Sequence, residues 1–224
     1  MEKSLNYQAL YTLQDQILSH VMALENDFYL TGGTALHRFY CHHRYSIDLD
    51  FFVSNSPLFY ESVNEILELL SNKQYEIKQE VVFRDFYRIR INQLLQVDFV
   101  NDRVYRYGKS NLISTFRIDN PVNILTNKIT ALMSRDEEKD FFDLFCCAFH
   151  MQFDWKSILE IANKKARVEK DILIYRISSF PLPWLEKINI ITPLPITADS
   201  IQALCDDILY EQDNSLFSER LVND

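Results

Sequence analysis

Glycine and proline are scarce in this chain, at 3 and 6 of 224 residues. Few sharp turns can be built, which disfavours a sandwich or barrel of many short strands and favours long helices around a modest sheet. No uninterrupted run of 18 apolar residues occurs, and the opening MEKSLNYQALYTLQDQ lacks the apolar block of a signal peptide. The expectation is a cytoplasmic protein with no membrane partner. The 4 cysteines (Cys41, Cys146, Cys147, Cys205) form no CxxC pair, and two of them are adjacent in an apolar run. Their spacing suggests neither a disulfide framework nor a zinc cluster, and they read as buried free thiols. Cys41-His42-His43 is set aside as a metal motif, because adjacent residues on a helix point in different directions. The 5 histidines (His20, His37, His42, His43, His150) sit in no HExxH or serine-elbow context, so no rival catalytic triad is visible.

What is present is a globular composition, 47% hydrophobic and 25% charged, sufficient for a sizeable core. A net charge of −9 argues against a surface that grips nucleic acid over its whole extent. The charge is uneven. Residues 198–224 hold seven acids (Asp199, Asp206, Asp207, Glu211, Asp213, Glu219, Asp224) against Arg220 alone, leaving −3 for the rest. Residues 84–109 hold six bases (Arg84, Arg88, Arg90, Arg103, Arg106, Lys109) against three acids (Asp85, Asp98, Asp102). That stretch is either a local basic surface or a set of solvated strand faces.

Along the chain, Leu10, Leu13, Ile17, Val21 and Leu24 recur at helical intervals. Phe28-Tyr29-Leu30 is a short strand ended by Thr31-Gly32-Gly33, and the pattern is helical again from Thr34 to about His43. From Ile47 to Val53, Ile47, Leu49, Phe51 and Val53 share one strand face and Asp48, Asp50 and Phe52 the other. A helix over 58–71 follows, then strands over 75–83, 86–91 and 94–100 that are rich in β-branched and aromatic residues. From Asn120-Pro121, a cap followed by proline at the first helical position, the chain turns helical: 122–135, 137–151, 154–167 with Asp154 as cap, 168–179 and 198–212. The expected fold is α+β: a small mixed sheet flanked by helices over 1–118, then a helical region over 119–224.

Chemistry concentrates in Thr31-Gly32-Gly33-Thr34-Ala35-Leu36 and Arg44-Tyr45-Ser46-Ile47-Asp48-Leu49-Asp50-Phe51-Phe52. Two of the 3 glycines sit together at a strand-to-helix junction, where backbone can approach a ligand closely and a helix N-terminus favours an anion. Asp48 and Asp50, two apart on a strand, project side by side. A third acid from a neighbouring strand, Asp98 between Val97 and Phe99, would complete an oxygen-rich cage suited to Mg²⁺. Phe51 and Phe52 make this strand look central, where unpaired carboxylates cost several kcal/mol.

Gly-Gly-Thr-Ala-Leu, Arg-x-Ser-x-Asp-Leu-Asp-Phe-Phe and the later Val-Asp-Phe resemble the signature of the DNA polymerase β-like nucleotidyltransferase superfamily, and more narrowly the AbiEii/AbiGii toxin family. The resemblance implies a nucleotide-binding set of Gly32, Gly33, Thr34, Ser46 and Lys128, and two Mg²⁺ ions, with Mn²⁺ as the alternative, on Asp48, Asp50 and Asp98. A second match, Lys128-x-x-Ala131-Leu132-x-x-Arg135 then Lys139-Asp140-x-x-Asp143-Leu144, implies that Lys128 supplies a point charge to the phosphates. Asp143 or Asp140 would orient it or act near the nucleophile. The common Arg-Asp-x-x-Asp stands here as Lys139-Asp140-x-x-Asp143. The implied activity is transfer of a nucleoside monophosphate from an NTP to an acceptor, RNA such as tRNA or a protein, by the toxin of a toxin–antitoxin or phage-defence pair. The competing reading is a catalytically idle binding module that keeps the fold.

Overall fold

The computed structural model describes residues 5–218; Glu219, Arg220 and Asp224 of the acidic C-terminal stretch lie outside them. The chain divides into two units: residues 1–34, 46–103 and 110–119 form one, and residues 35–45, 104–109 and 120–224 form the other.

The first unit is built on a seven-stranded mixed sheet. Its strands are β1 (Tyr29–Thr31), β2 (Asp48–Ser54), β3 (Ile77–Phe83), β4 (Phe86–Ile91), β5 (Leu95–Asp102), β6 (Asn111–Ile113) and β7 (Phe116–Ile118). They lie in the order β3-β4-β5-β2-β1-β7-β6. The hairpins β3–β4 and β4–β5 are antiparallel, as their alternation and β-branched content predict. Asn92 and Gln93, at φ 50 and 56, close the second with the left-handed pair that suits a tight hairpin. β5 then returns parallel to β2, pairing Leu49 with Val97, Asp50 with Asp98 and Phe51 with Phe99. The short strands β6 and β7 carry too few residues for periodicity to reveal them.

That register sorts the side chains. Leu49, Phe51, Val97 and Phe99 are fully buried on one face, where Phe99 stacks on Phe51 at 5.5 Å and meets Phe28 edge-on at 5.3 Å. Helices α1 (Tyr7–Ala23) and α3 (Phe59–Asn72) cover the same core through Leu10, Ile17, Val21, Val63, Ile66 and Leu70. Full burial of one such side chain contributes about 1.5–3 kcal/mol, so this face holds the unit together. By alternation the other face of β2 and β5 carries Asp48, Asp50 and Asp98. Ile47, expected on the apolar face, precedes the strand and is 47% exposed.

The second unit is helical: α4 (Pro121–Ser134), α5 (Glu138–His150), α6 (Trp155–Lys165), α7 (Lys170–Ser178) and α8 (Ala198–Tyr210). Asn120 caps α4 by accepting from the Asn123 N–H at 2.8 Å, Asp154 caps α6 from Ser157, and Thr197 with Ser200 forms a capping box on α8. Helix α5 is the centre of this unit, with every residue from Asp140 to His150 buried. Cys147 and Cys205 are buried free thiols, as expected. Cys41 and Cys146 are not: their sulfurs meet across 105 residues of sequence. Spacing along the chain cannot show a meeting of segments so far apart, and the local backbone also differs from the expected helix. Helix α2 (Gly32–Phe39) stops short of Cys41, and His42 adopts left-handed backbone at φ 53, so the helical geometry assumed for 41–43 does not apply. No helix among the described residues is long and apolar enough to cross a membrane.

Candidate active site

Each unit holds a constellation of paired acids and bases. In the sheet unit, β1 ends at Thr31 and the backbone enters α2 through Gly32, whose φ of +72 a side-chain-bearing residue rarely adopts. Gly33 is not among the positive-φ residues, so of the pair the conformational demand falls on Gly32. A Cβ built on Gly32 would lie 2.5 Å from Asp50 Oδ2 and 3.3 Å from its Cγ. The glycine is therefore required twice, by backbone angle and by the space that the Asp50 carboxylate occupies.

Thr34 and Ser46 are both buried. The Thr34 hydroxyl donates to the Asp48 carbonyl and, having one proton, accepts from Ser46 Oγ at 2.8 Å. Gln14 Nε2 donates to the Ser46 carbonyl at 3.0 Å, and the Ser46 N–H donates to the Tyr11 hydroxyl at 3.1 Å. These bonds tie the helix start to the start of β2. Thr31 Oγ1 donates to Asp119 Oδ2 at 2.7 Å at the other side of the junction.

Asp50 and Asp98 are direct register partners across parallel strands, and Asp48 stands two residues before Asp50 on the same face. Sequence reasoning did not give Arg88 a place among them. Its Nε and Nη2 donate to the two oxygens of Asp98 at 2.7 and 2.6 Å, a bidentate pair across the β4–β5 register. The Arg88 guanidinium is held charged above its ordinary range, chiefly by that bonding to Asp98 and further by the charges of Asp48 and Asp50. One cation thus answers to all three carboxylates. Carboxylates are hard oxygen donors, so Asp48, Asp50 and Asp98 are of the chemical type that could hold a divalent ion such as Mg²⁺ or Mn²⁺.

Three of the six bases of the stretch 84–109 are neutralised within the fold. Arg90 pairs with Glu80 at 2.7 Å and Arg103 with Asp85 at 2.6 Å, in addition to Arg88 with Asp98. Half of the six bases are thus met by acids on neighbouring strands or loops, which breaks up a continuous basic stripe.

In the helical unit, Lys128 on α4 is 7% exposed, with Nζ 2.8 Å from Asp140 Oδ1 and 2.7 Å from Asp143 Oδ2. Asp140 and Asp143, three apart on α5, share one helix face. Asp143 also accepts from Arg44 Nε and Nη2, both at 2.7 Å, and from His37 Nε2 at 2.7 Å. Arg135 Nε donates to Asp140 Oδ2 at 2.6 Å. Burial alone would raise the Asp143 carboxyl, but Arg44, Lys128 and His37 hold it well below the usual carboxylate range. Burial works against the Lys128 charge as well, and Asp143 with Asp140 override it, leaving its pKa raised. Burial pulls the His37 imidazole down to about 4, so it is neutral and donates from Nε2 to Asp143. The sequence placed Lys128, Asp140 and Asp143 together by motif order; Arg44 stood in the Arg-x-Ser-x-Asp motif without an assigned partner, and His37 carried no signal of its own.

A seven-stranded mixed sheet with this acid-bearing register is a nucleotidyltransferase fold. The chain overlays JHP933 from Helicobacter pylori with a TM-score of 0.64 over 92% of this chain and 93% of that one, at 18% identity, a likeness of fold alone. It belongs to the family of nucleotidyl transferase AbiEii toxins of type IV toxin–antitoxin systems, whose model matches residues 16–221. An uncharacterized protein of Aquifex aeolicus (strain VF5) is 31% identical over 165 residues, spanning 69% of this chain and 74% of the relative.

Proposed function

We propose that this toxin-family chain transfers a nucleoside monophosphate from an NTP to an acceptor hydroxyl or phosphate on RNA, such as a tRNA end, with Mg²⁺ or Mn²⁺ held by Asp48, Asp50 and Asp98. A cognate antitoxin is the implied protein partner, and a protein acceptor is the alternative outcome. The observation that carries this reading is the strand register that sets Asp50 directly beside Asp98, with Asp48 two residues before Asp50 on the same strand. Divalent ions there would lower the pKa of the attacking hydroxyl and neutralise the departing pyrophosphate.

The chain's own residues account for the rest. Gly32, Gly33 and the N–H groups that open α2 receive the triphosphate, where the helix dipole favours negative charge. Thr34 and Ser46 fix the Asp48 backbone, so they act as positioning residues and need not touch the nucleotide. Arg88 neutralises Asp98 through a bidentate pair, so any ion held by Asp98 would compete with that guanidinium. Lys128 already spends two of its three N–H donors on Asp140 and Asp143, so we assign it to neutralising those buried carboxylates rather than to a phosphate. Asp143 correspondingly orders Arg44, Lys128 and His37 and is not placed on the nucleophile.

Incubating the protein with each labelled NTP, Mg²⁺ and total cellular RNA tests the proposal. Label should enter an RNA species. Absence of both label transfer and Mg-NTP binding would establish the idle module instead.

A further inference from the structure

The sheet carboxylates leave one cluster in the helical unit unused. His37, Cys41 and Cys146 bring their ligand atoms within 4.8 Å of one another, and so do His43, Cys146 and His150. Cys146 belongs to both sets. All five side chains are buried except Cys41, which is partly so.

Three features distinguish this cluster from a chance meeting of apolar-region side chains. The first is spacing. Cys146 and His150 are four apart on α5 and so share a face, while the left-handed turn at His42 brings Cys41 and His43 to the same cluster. The two triads meet at the Cys146 sulfur, and Cys41 shares a close set with Cys146 but not with His43 and His150, so four ligands close on one ion once the Cys41 sulfur turns toward the imidazoles. The second is the outer bonding of the imidazoles. His43 Nδ1 lies 2.9 Å from the Thr192 carbonyl, an acceptor only, so Nδ1 carries the proton and Nε2 presents a lone pair toward His150 Nε2 at 2.7 Å. His37 donates from Nε2 to Asp143 and turns Nδ1 to Cys41 Sγ at 3.2 Å, so it backs Cys41 instead of joining the proposed ligands. Metal-bound histidines are oriented by this kind of hydrogen bond to a carbonyl or carboxylate. The third is the cysteine backbone. The Cα atoms of Cys41 and Cys146 are 7.1 Å apart, beyond the span of about 4.4–6.8 Å that disulfides usually bridge.

We infer that Cys41, His43, Cys146 and His150 form a structural Cys₂His₂ site for a zinc-class divalent ion. Two thiolates and two imidazoles are the soft and borderline donors that select zinc over magnesium, so this ion is chemically distinct from any held by Asp48, Asp50 and Asp98. With four protein ligands it leaves no open position for substrate, and its role is to pin residues 41–43 to α5. Binding releases the protons of both thiols, and His37, behind Cys41, links the site to Asp143 without ligating the ion.

The test is the metal content of the full chain, expressed with zinc and purified without chelator. About one zinc per chain should be found, and Cys146→Ser and His150→Ala should each lose it. Because those variants can fail to fold, the parent is also stripped and reloaded with cobalt, which should give thiolate-to-cobalt charge-transfer absorption and tetrahedral d–d bands. Chelation should lower the melting temperature, and zinc should restore it. A metal-free protein that rejects cobalt, or a Cys41–Cys146 disulfide found by mass in the freshly purified chain, would overturn the assignment. Zinc retained by a folded Cys146→Ser variant would do so too.

Discussion

Gly32→Ala separates the chemistry of the sheet site from the stability of the fold. The added methyl would stand 2.5 Å from Asp50 Oδ2, so restoring an ordinary contact near 3.4 Å moves that carboxylate by roughly 1 Å. Misplacement of a reacting group by about that distance can cost ~10²-fold in rate. The left-handed backbone at φ +72 adds ~1–2 kcal/mol for a residue with a Cβ. In a chain of this size that is a fall in melting temperature of roughly 2–8 °C, which leaves the protein folded at assay temperature. The assay is label transfer from NTP, measured beside thermal denaturation. Gly33→Ala is the control, since it adds the same methyl where φ is not positive. Transfer by folded Gly32→Ala within a few-fold of the parent would refute the claim that this glycine keeps Asp50 in place for catalysis.

The remaining predictions concern charge. Asp143→Ala leaves Arg44 and Lys128 buried without their shared carboxylate, at a cost of about 3–5 kcal/mol, so the melting temperature should fall by roughly 6–20 °C; a loss under about 2 °C would contradict the cluster's role. Because folding lowers the Asp143 pKa, the parent gains stability from it above the ordinary carboxylate range and loses that gain as pH falls below about 4; a denaturant-derived stability profile should show this acid limb, and Asp143→Ala should flatten it. Arg88→Met removes a cation that competes for Asp98, so Mg²⁺ binding, followed by the rise in melting temperature on titration, should tighten by up to about fivefold; weaker binding would mean that Arg88 supports the ions rather than standing in for them.

Much of the site was legible because its signals are local. Alternation alone placed Asp48 and Asp50 on one face of a strand, and the scarcity of glycine drew attention to Gly32-Gly33. Which glycine mattered was not legible, since only the backbone angle at Gly32 and the position of Asp50 decide it. The partnership of Asp50 with Asp98 depends on parallel pairing of strands more than 40 residues apart, which periodicity cannot specify. The neutralisation of Arg88, Arg90 and Arg103 was hidden for another reason: a count of bases and acids along the chain does not say which of them pair across neighbouring strands and loops. The meeting of Cys41 and His43 with α5 was not legible for a different reason. A helix assumed to run to His43 ends at Phe39, and Cys146-x-x-x-His150 became meaningful only once α5 brought it to them.

The most direct test of the central claim is label transfer from NTP to RNA by Asp48→Asn and Asp50→Asn. Each substitution removes one negative charge from a carboxylate cluster, so both variants should fold as stably as the parent or more so without metal. Transfer should fall by orders of magnitude in each, with circular dichroism and melting temperature preserved. Parent-level transfer by either folded variant would contradict the assignment of these carboxylates to the ions and, with it, the proposed mechanism.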